Sequence, residues 1–353
     1  MQQTDILIVG GGIAGLGLAA SLAARRPGRL LLVDREDQPG TYASGHNAGI
    51  ARQLTGRAEH TALTIEGVGR LREAGLLLHS GGLLLEAESG GLDGLEAEAR
   101  AFGLAARRGA GSPLPGLAAT GHLTLPTDGV MDTDRLLGSC VDRARANGAV
   151  LAFGTEVHAI QPSPEGFEVE TSTGVIRTGW LVNAAGAWAG RIGLQAGGLD
   201  LRIQPLRRHL VWSGAAYPAQ QPWAWWADRP LYVRPESGGL LLCPCDETEL
   251  EPPALHRQPD ADEGVLSSLF ASLRELAPEL AERPVTRLWC GLRSFAPDRR
   301  FVIGWDPVNP RLFWVAGLGG HGMSSGLAVA ELGARLWLER SDGPLSPRRF
   351  RAG

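Results

Sequence analysis

Lysine is missing from this 353-residue chain, and every one of its 34 basic side chains is an arginine. That absence excludes any mechanism that runs through a lysine Schiff base, pyridoxal-phosphate chemistry included. Arginine, always protonated, cannot replace lysine as a proton acceptor. Cysteine is scarce: Cys140, Cys243, Cys245 and Cys290 form no CxxC pair and have no histidines at ligand spacing. No metal is therefore expected, and reduced thiols in a cytoplasmic protein are. No apolar run reaches the roughly 18 residues of a membrane span, and no basic stretch precedes the first apolar run, so neither a span nor a secretory leader is expected. Positive charge is not in excess either, with 38 acidic side chains and a net charge of -4. A nucleic-acid or anionic-surface partner is thus disfavoured, and the ligand should be a small molecule. The length suits two domains, or one large domain with an insertion.

What the chain does have begins at residue 5, with "DILIVGGGIAGLGLAASLAARRPGRLLLVDRED". An apolar run over 6–9 predicts a strand covered on both faces. A turn through Gly10, Gly12 and Gly15 leads into a helix from 13 to about 25, and a second strand over 30–33 ends in Asp34. This is the dinucleotide fingerprint in its required context. Gly10 permits the tight turn, Gly12 lets backbone approach a pyrophosphate, and Gly15 lets helix pack on strand. The helix start supplies N–H groups to phosphates, and Asp34 can accept from ribose hydroxyls. The fingerprint alone does not separate FAD from NAD.

Beyond it, "SGHNAGIARQ" (44–53) reads as a loop leading to an amphipathic helix within 54–78. Glycine and proline punctuation marks 79–131 as an inserted, partly β segment. Asp132 or Thr133 can cap a helix running to 146, closed by Asn147-Gly148, with strands after it at 150–153 and 157–160. A hairpin and a buried strand over 180–183 then end in a second small-residue turn at 184–186. From 201 to 292 the pattern alternates as in an antiparallel sheet with one covered face, interrupted by a helix over 263–276. Strand, glycine turn and long helix return after 311. The expectation is an α/β protein: a discontinuous Rossmann-like nucleotide-binding domain (1–78, 132–200 and 293–353) with an inserted antiparallel-sheet substrate domain (79–131 and 201–292).

Three segments, the fingerprint with its acid, "VNAAGAWAG" (182–190) and "GLRSF" followed by "GLGGHGMSSG" (291–295 and 317–326), together resemble the D-amino-acid oxidase superfamily of FAD-dependent oxidoreductases. The likeness spans essentially the whole chain and is nearest to the D-arginine dehydrogenase and glycine oxidase group. It implies non-covalently bound FAD. Gly10, Gly12, Ile13, Ala14, Gly15, Asp34 and Arg35 would serve the ADP half, with the backbone of Val157 at the adenine and the turn Ala185, Gly186 and Trp188 beside it. Ser44, Gly45 and His46, together with Gly291 and the turn Gly319, Gly320, His321, Gly322 and Met323, would surround the flavin. The resemblance further implies that Arg293 holds a substrate α-carboxylate, that Tyr232 adds a hydrogen bond, and that His46, His321 and Arg208 are further catalytic candidates. Arg293 could instead be a structural partner of Asp298 or Glu247. Arg52 and Arg208 could meet a substrate side chain or pair with acids at the rim.

The implied reaction is oxidation of a small amino acid, a D-amino acid or an N-substituted glycine, by hydride transfer to flavin N5, giving an imino acid that hydrolyses to a keto acid. "GHNAG" departs from the amino-acid oxidising pattern and resembles L-2-hydroxyglutarate dehydrogenase, so an L-2-hydroxy acid substrate is an alternative, one that needs a base such as His46 or His321. A non-catalytic FAD-binding subunit is another. Cys290 lies near the place where sarcosine oxidases attach their flavin. The lysine that activates oxygen in monomeric sarcosine oxidase has no counterpart here, and oxygen and quinone acceptors both stay open.

Overall fold

A computed structural model describes residues 2–251 and 260–351. The first apolar run forms the strand Gln2–Val9, which lies between the parallel strands Leu30–Val33 and Gly174–Asn183. Ile6, Leu7 and Ile8 are all buried, as a strand covered on both faces requires. The sheet runs Val302–Trp305, Leu312–Ala316, Gly174–Asn183, Gln2–Val9, Leu30–Val33, Val150–Ala152, with Gly166–Thr171 attached antiparallel to Gly174–Asn183 and Val157–Ser163 antiparallel to Gly166–Thr171. The helices Ile13–Ala23 and Gly322–Glu339 pack together against it. Small residues allow this: a Cβ on Gly326 would lie 2.4 Å from Ile13 Cγ1. The helix Thr133–Ala146 packs beside the first, and Asp132 caps it by accepting from the Arg135 N–H at 3.0 Å.

The second sheet runs Thr248–Glu249, Gln204–Ser213, Gly239–Cys243, Tyr232–Glu236, Trp223–Trp226, Leu77–Glu86, Gly121–Met131, Ile50–Ala51. Arg287–Phe295 pairs with Gln204–Ser213, and Arg107–Ala110 with Gly121–Met131. Its pairings are antiparallel except one, Trp223–Trp226 beside Leu77–Glu86. There two stretches far apart in sequence meet, and no hairpin dictates their relative direction. The chain thus carries the expected α/β architecture, a Rossmann-like parallel sheet with a second, mostly antiparallel one.

Several elements differ in detail from their sequence patterns. The first helix stops at Ala23 rather than 25, where Arg26 adopts φ 50 and turns the chain. The amphipathic stretch 54–78 is helical only over Ala58–Glu73, and the helix expected from 263 starts at Val265. A helix, Asp93–Ala101, lies inside the segment read as partly β, its signal masked by flanking glycines. Among the described residues no helix is long and apolar enough to cross a membrane.

One histidine ties the helix Ala58–Glu73 to the edge of the parallel sheet. The His60 ring stacks on Phe301 at 3.9 Å and its Nε2 accepts the Phe301 N–H at 3.2 Å. Protonation would destroy that acceptor, and burial pushes the imidazole pKa down to about 4. Because the folded value lies below the unfolded one, near 6.5, acid favours the unfolded chain, which takes the proton first. This contribution is complete above about pH 6.5 and is lost as the pH falls toward 4, a loss of about 3 kcal/mol in all. Urea unfolding at pH 7 and pH 5 checks it: His60→Asn, which keeps an acceptor but cannot titrate, should lose less stability between the two pH values than the wild type does.

Candidate active site

The carboxyl ends of the parallel strands open onto one cleft, lined there by Val9, Gly10, Val33, Asp34, Ala184 and Val315. Ligands of open α/β sheets collect at this edge. Gly10 has φ 117, and a Cβ on it would lie 2.3 Å from the Ala184 carbonyl oxygen. Gly15 does not line the cleft. It acts beneath it, since its Cβ would lie 1.9 Å from the Gly10 oxygen, so only glycine lets the helix seat against the turn. Gly45 is also outside the lining, packed over the Gly40 carbonyl. Gly12, Ile13 and Ala14 at the helix start do line it, and Ser44 reaches across to accept the Ile13 N–H at 3.0 Å.

Asp34 accepts from the backbone N–H groups of Gly11 and Glu36. Burial nevertheless raises its pKa, outweighing both bonds. Beside it the Arg35 guanidinium lies 3.8 Å from the Trp188 ring and 4.8 Å from that of Tyr42. The Tyr42 hydroxyl donates to Glu36. Tyr42 escaped the sequence reading because a lone tyrosine in a loop has no period or motif to mark it. Val157, Ala185, Gly186 and Trp188 complete this end.

The other end is built on the strands Gln204–Ser213 and Arg287–Phe295, whose register sets Arg208 opposite Gly291 and Leu206 opposite Arg293. Arg208 and Arg293 therefore project from the same face, diagonal to each other, and both line the cleft. Gly291 must be small because its Cβ would lie 2.3 Å from the His46 carbonyl oxygen. The turn before the last helix sits directly on the arginine: a Cβ on Gly320 would lie 2.7 Å from Arg293 Nε. Cys290, one position out of phase, faces the other way and donates to the Asp260 carbonyl at 3.8 Å, and it is not part of the lining.

Of the two acids weighed as partners of Arg293, Asp298 is held by Arg349 at 2.7 Å and 3.2 Å. Glu247 lies 3.8 Å from Arg293, beyond a hydrogen bond, while it accepts from Arg208 at 3.1 Å and Arg299 at 2.7 Å. Burial, then the charge of Arg208, lowers the Arg293 pKa. Tyr232 is buried with its ring 4.6 Å from Trp225, and burial holds its hydroxyl well above the ordinary value, so it stays a donor. His321 is kept neutral by burial and by the charges of Arg52 and Arg293. The Nδ1 of His46 is buried without a hydrogen-bond partner. Met323 and Gly322 open the last helix at the same wall, where Ser324, unremarked in the sequence, accepts the Arg52 N–H at 3.3 Å and donates to the Ile50 carbonyl at 3.0 Å.

A glycine cradle and buried acid at one end, and the positive start of an 18-residue helix at the other, suit a dinucleotide joined to a ring that gains negative charge on reduction. The residues present fit FAD.

Comparison with known proteins agrees. The family described as FAD dependent oxidoreductase (DAO) matches residues 5–336. Glycine oxidase of Geobacillus kaustophilus is 28% identical over 367 residues, spanning 94% of this chain and 93% of its own. Among solved structures, L-proline dehydrogenase from P. horikoshii has a TM-score of 0.88 at 22% identity, over 99% of this chain and 98% of that one. Glycine oxidase from Geobacillus kaustophilus has a TM-score of 0.82 at 24% identity, over 98% of each.

Asp34→Ala removes a charged acceptor and one tie to the glycine turn, and should weaken FAD binding by about 1.5 to 3 kcal/mol. Titration of the apoprotein with FAD measures this, and an unchanged dissociation constant would contradict the role given to Asp34. Gly320→Ala should displace Arg293 and so raise KM, with the flavin content of the purified variant measured alongside.

Proposed function

The chain belongs to the FAD-dependent oxidoreductase family, and within it we propose that it oxidises a small amino acid, a D-amino acid or an N-substituted glycine, to the imino acid. One observation carries the reading: Arg293 lines the cleft that begins at the dinucleotide turn, and no carboxylate among the described residues is within hydrogen-bond reach of it. Similarity to glycine oxidase along nearly the whole of both chains supports the same substrate class.

In this reading a guanidinium takes the α-carboxylate through two parallel hydrogen bonds, which fixes the direction of the α C–H as a point charge would not. Tyr232 donates a further bond to the same carboxylate. The clustered charges of Arg52, Arg208 and Arg293 disfavour a substrate ammonium and so favour entry as the neutral amine. Without an ammonium proton to remove, the protein needs no base. FAD, when bound, supplies the hydride acceptor. The chain's contribution is positioning and electrostatics. The imino acid takes up water after release, giving a keto acid and ammonia, or an amine from an N-substituted substrate. A neutral, weakly basic His321 is poorly suited to removing a hydroxyl proton, which argues against His321 as the base a hydroxy acid would need.

Anaerobic bleaching of the flavin by D-amino acids, sarcosine and glycine, set against L-2-hydroxy acids, tests the proposal. Bleaching by the hydroxy acids alone, or by none of the panel, would overturn it. Arg293→Lys keeps charge and loses the fork, and Arg293→Met loses both, so the damage should be graded. The methionine variant should lose about 3 to 5 kcal/mol in the reduction step, roughly two to four decades, at near wild-type FAD content. It should also stop distinguishing the substrate from its α-amide, which the wild type should reject.

A further inference from the structure

One guanidinium suffices for an α-carboxylate, yet three line this end of the cleft. Arg52, Arg208 and Arg293 all contribute to its wall, whereas the only carboxylates in the lining, Asp34 and Glu156, belong to the opposite end. Arg208 is 7% exposed, and its Nε and Nη1 are buried without a hydrogen-bond partner; only its Nη2 is engaged, by Glu247. Glu247 itself is shared with Arg293 and Arg299, so one negative charge serves three positive ones. Arg52 lines the same cleft, its guanidinium 4.5 Å from the Trp225 ring and its Nε also buried and unpartnered. The nearby acid, Asp128, accepts from Gln53 through one oxygen only, and no ion pair joins it to Arg52 among the described residues.

Buried donors left without acceptors are costly, and surplus charge at a buried site is costlier. A ligand with a second anion offsets the surplus charge. We propose that Arg208 and Arg52 form a second carboxylate subsite, so that the preferred substrate is a dicarboxylic amino acid with its α-carboxylate on Arg293 and its side-chain carboxylate on this pair. The inference rests on the amino-acid reading above for the reaction, though not for the binding of the second anion. Both arginines line the same cleft, Arg208 off a strand and Arg52 off the segment pinned by Ser324. A carboxylate at this end of the cleft offsets positive charge that a neutral side chain would leave uncompensated.

The test titrates the FAD holoenzyme with succinate and glutarate, and with their monoamides, reading the perturbation of flavin absorbance. A diacid should bind on the order of 100-fold more tightly than its monoamide, because a site built for a charged group rejects the analogue lacking it. Arg208→Met and Arg52→Met should each reduce that ratio at least about tenfold; the wild-type ratio and either folded variant decide the matter if the other fails to fold. In turnover, D-aspartate or D-glutamate should exceed its side-chain amide by a similar factor. Equal binding of diacid and monoamide would overturn the subsite, even if neutral amino acids bleach the flavin and the amino-acid reading stands. Preference for the diacid with no amino acid reducing the flavin would keep the subsite and sink the reaction.

Discussion

Two arginines held on one face of a strand pair set the character of this molecule. The pairing of Gln204–Ser213 with Arg287–Phe295 leaves Arg208 and Arg293 diagonal neighbours over a cleft. Like charges so arranged repel, and burial withdraws the water that would screen them. Much of the surrounding structure answers that strain. Glu247 is drawn between three guanidiniums, Tyr232 lines the same cleft, and Arg52 lies on an aromatic face rather than against another charge.

The same arrangement joins stability to chemistry. A site poised for anions is less stable without them than an apolar one would be, a common cost of preorganised binding. The rest of the fold bears it by rigidity. Gly291 yields its side-chain space to the His46 loop, Gly320 to Arg293, and Gly326 to Ile13. The loop after the second strand, the last helix and the substrate-facing sheet are thereby locked to the dinucleotide turn. Motion in any one of them would move the arginine relative to the cofactor cradle.

Much of this was legible in the linear sequence because its signals are local. Strand, glycine turn, helix and acid follow one another within about thirty residues, and Gly10 and Gly15 there answer to contacts only glycine permits. The motif around Arg293 is equally compact. Less legible was the helix Asp93–Ala101, set between turn residues, and the parallel pairing of Trp223–Trp226 with Leu77–Glu86, since pairing partners distant in sequence carry no mutual signature. Gly15 and Gly45 belong to the motifs yet work behind the cleft wall rather than in it.

By itself the sequence determined that a dinucleotide fingerprint stands at the amino terminus, that no lysine takes part in the chemistry, and that an arginine sits among apolar neighbours. These follow from residue type and short-range spacing. Only the tertiary structure decided that Asp298 is spent on Arg349, that Cys290 faces away from the cleft, and that Arg52, Arg208 and Arg293 share one cavity. The three arginines are separated by more than a hundred residues at one step and by scores at the other. Whether such charges meet depends on strand register and on which face of the pleat each occupies, and a shift of one residue would have turned them apart.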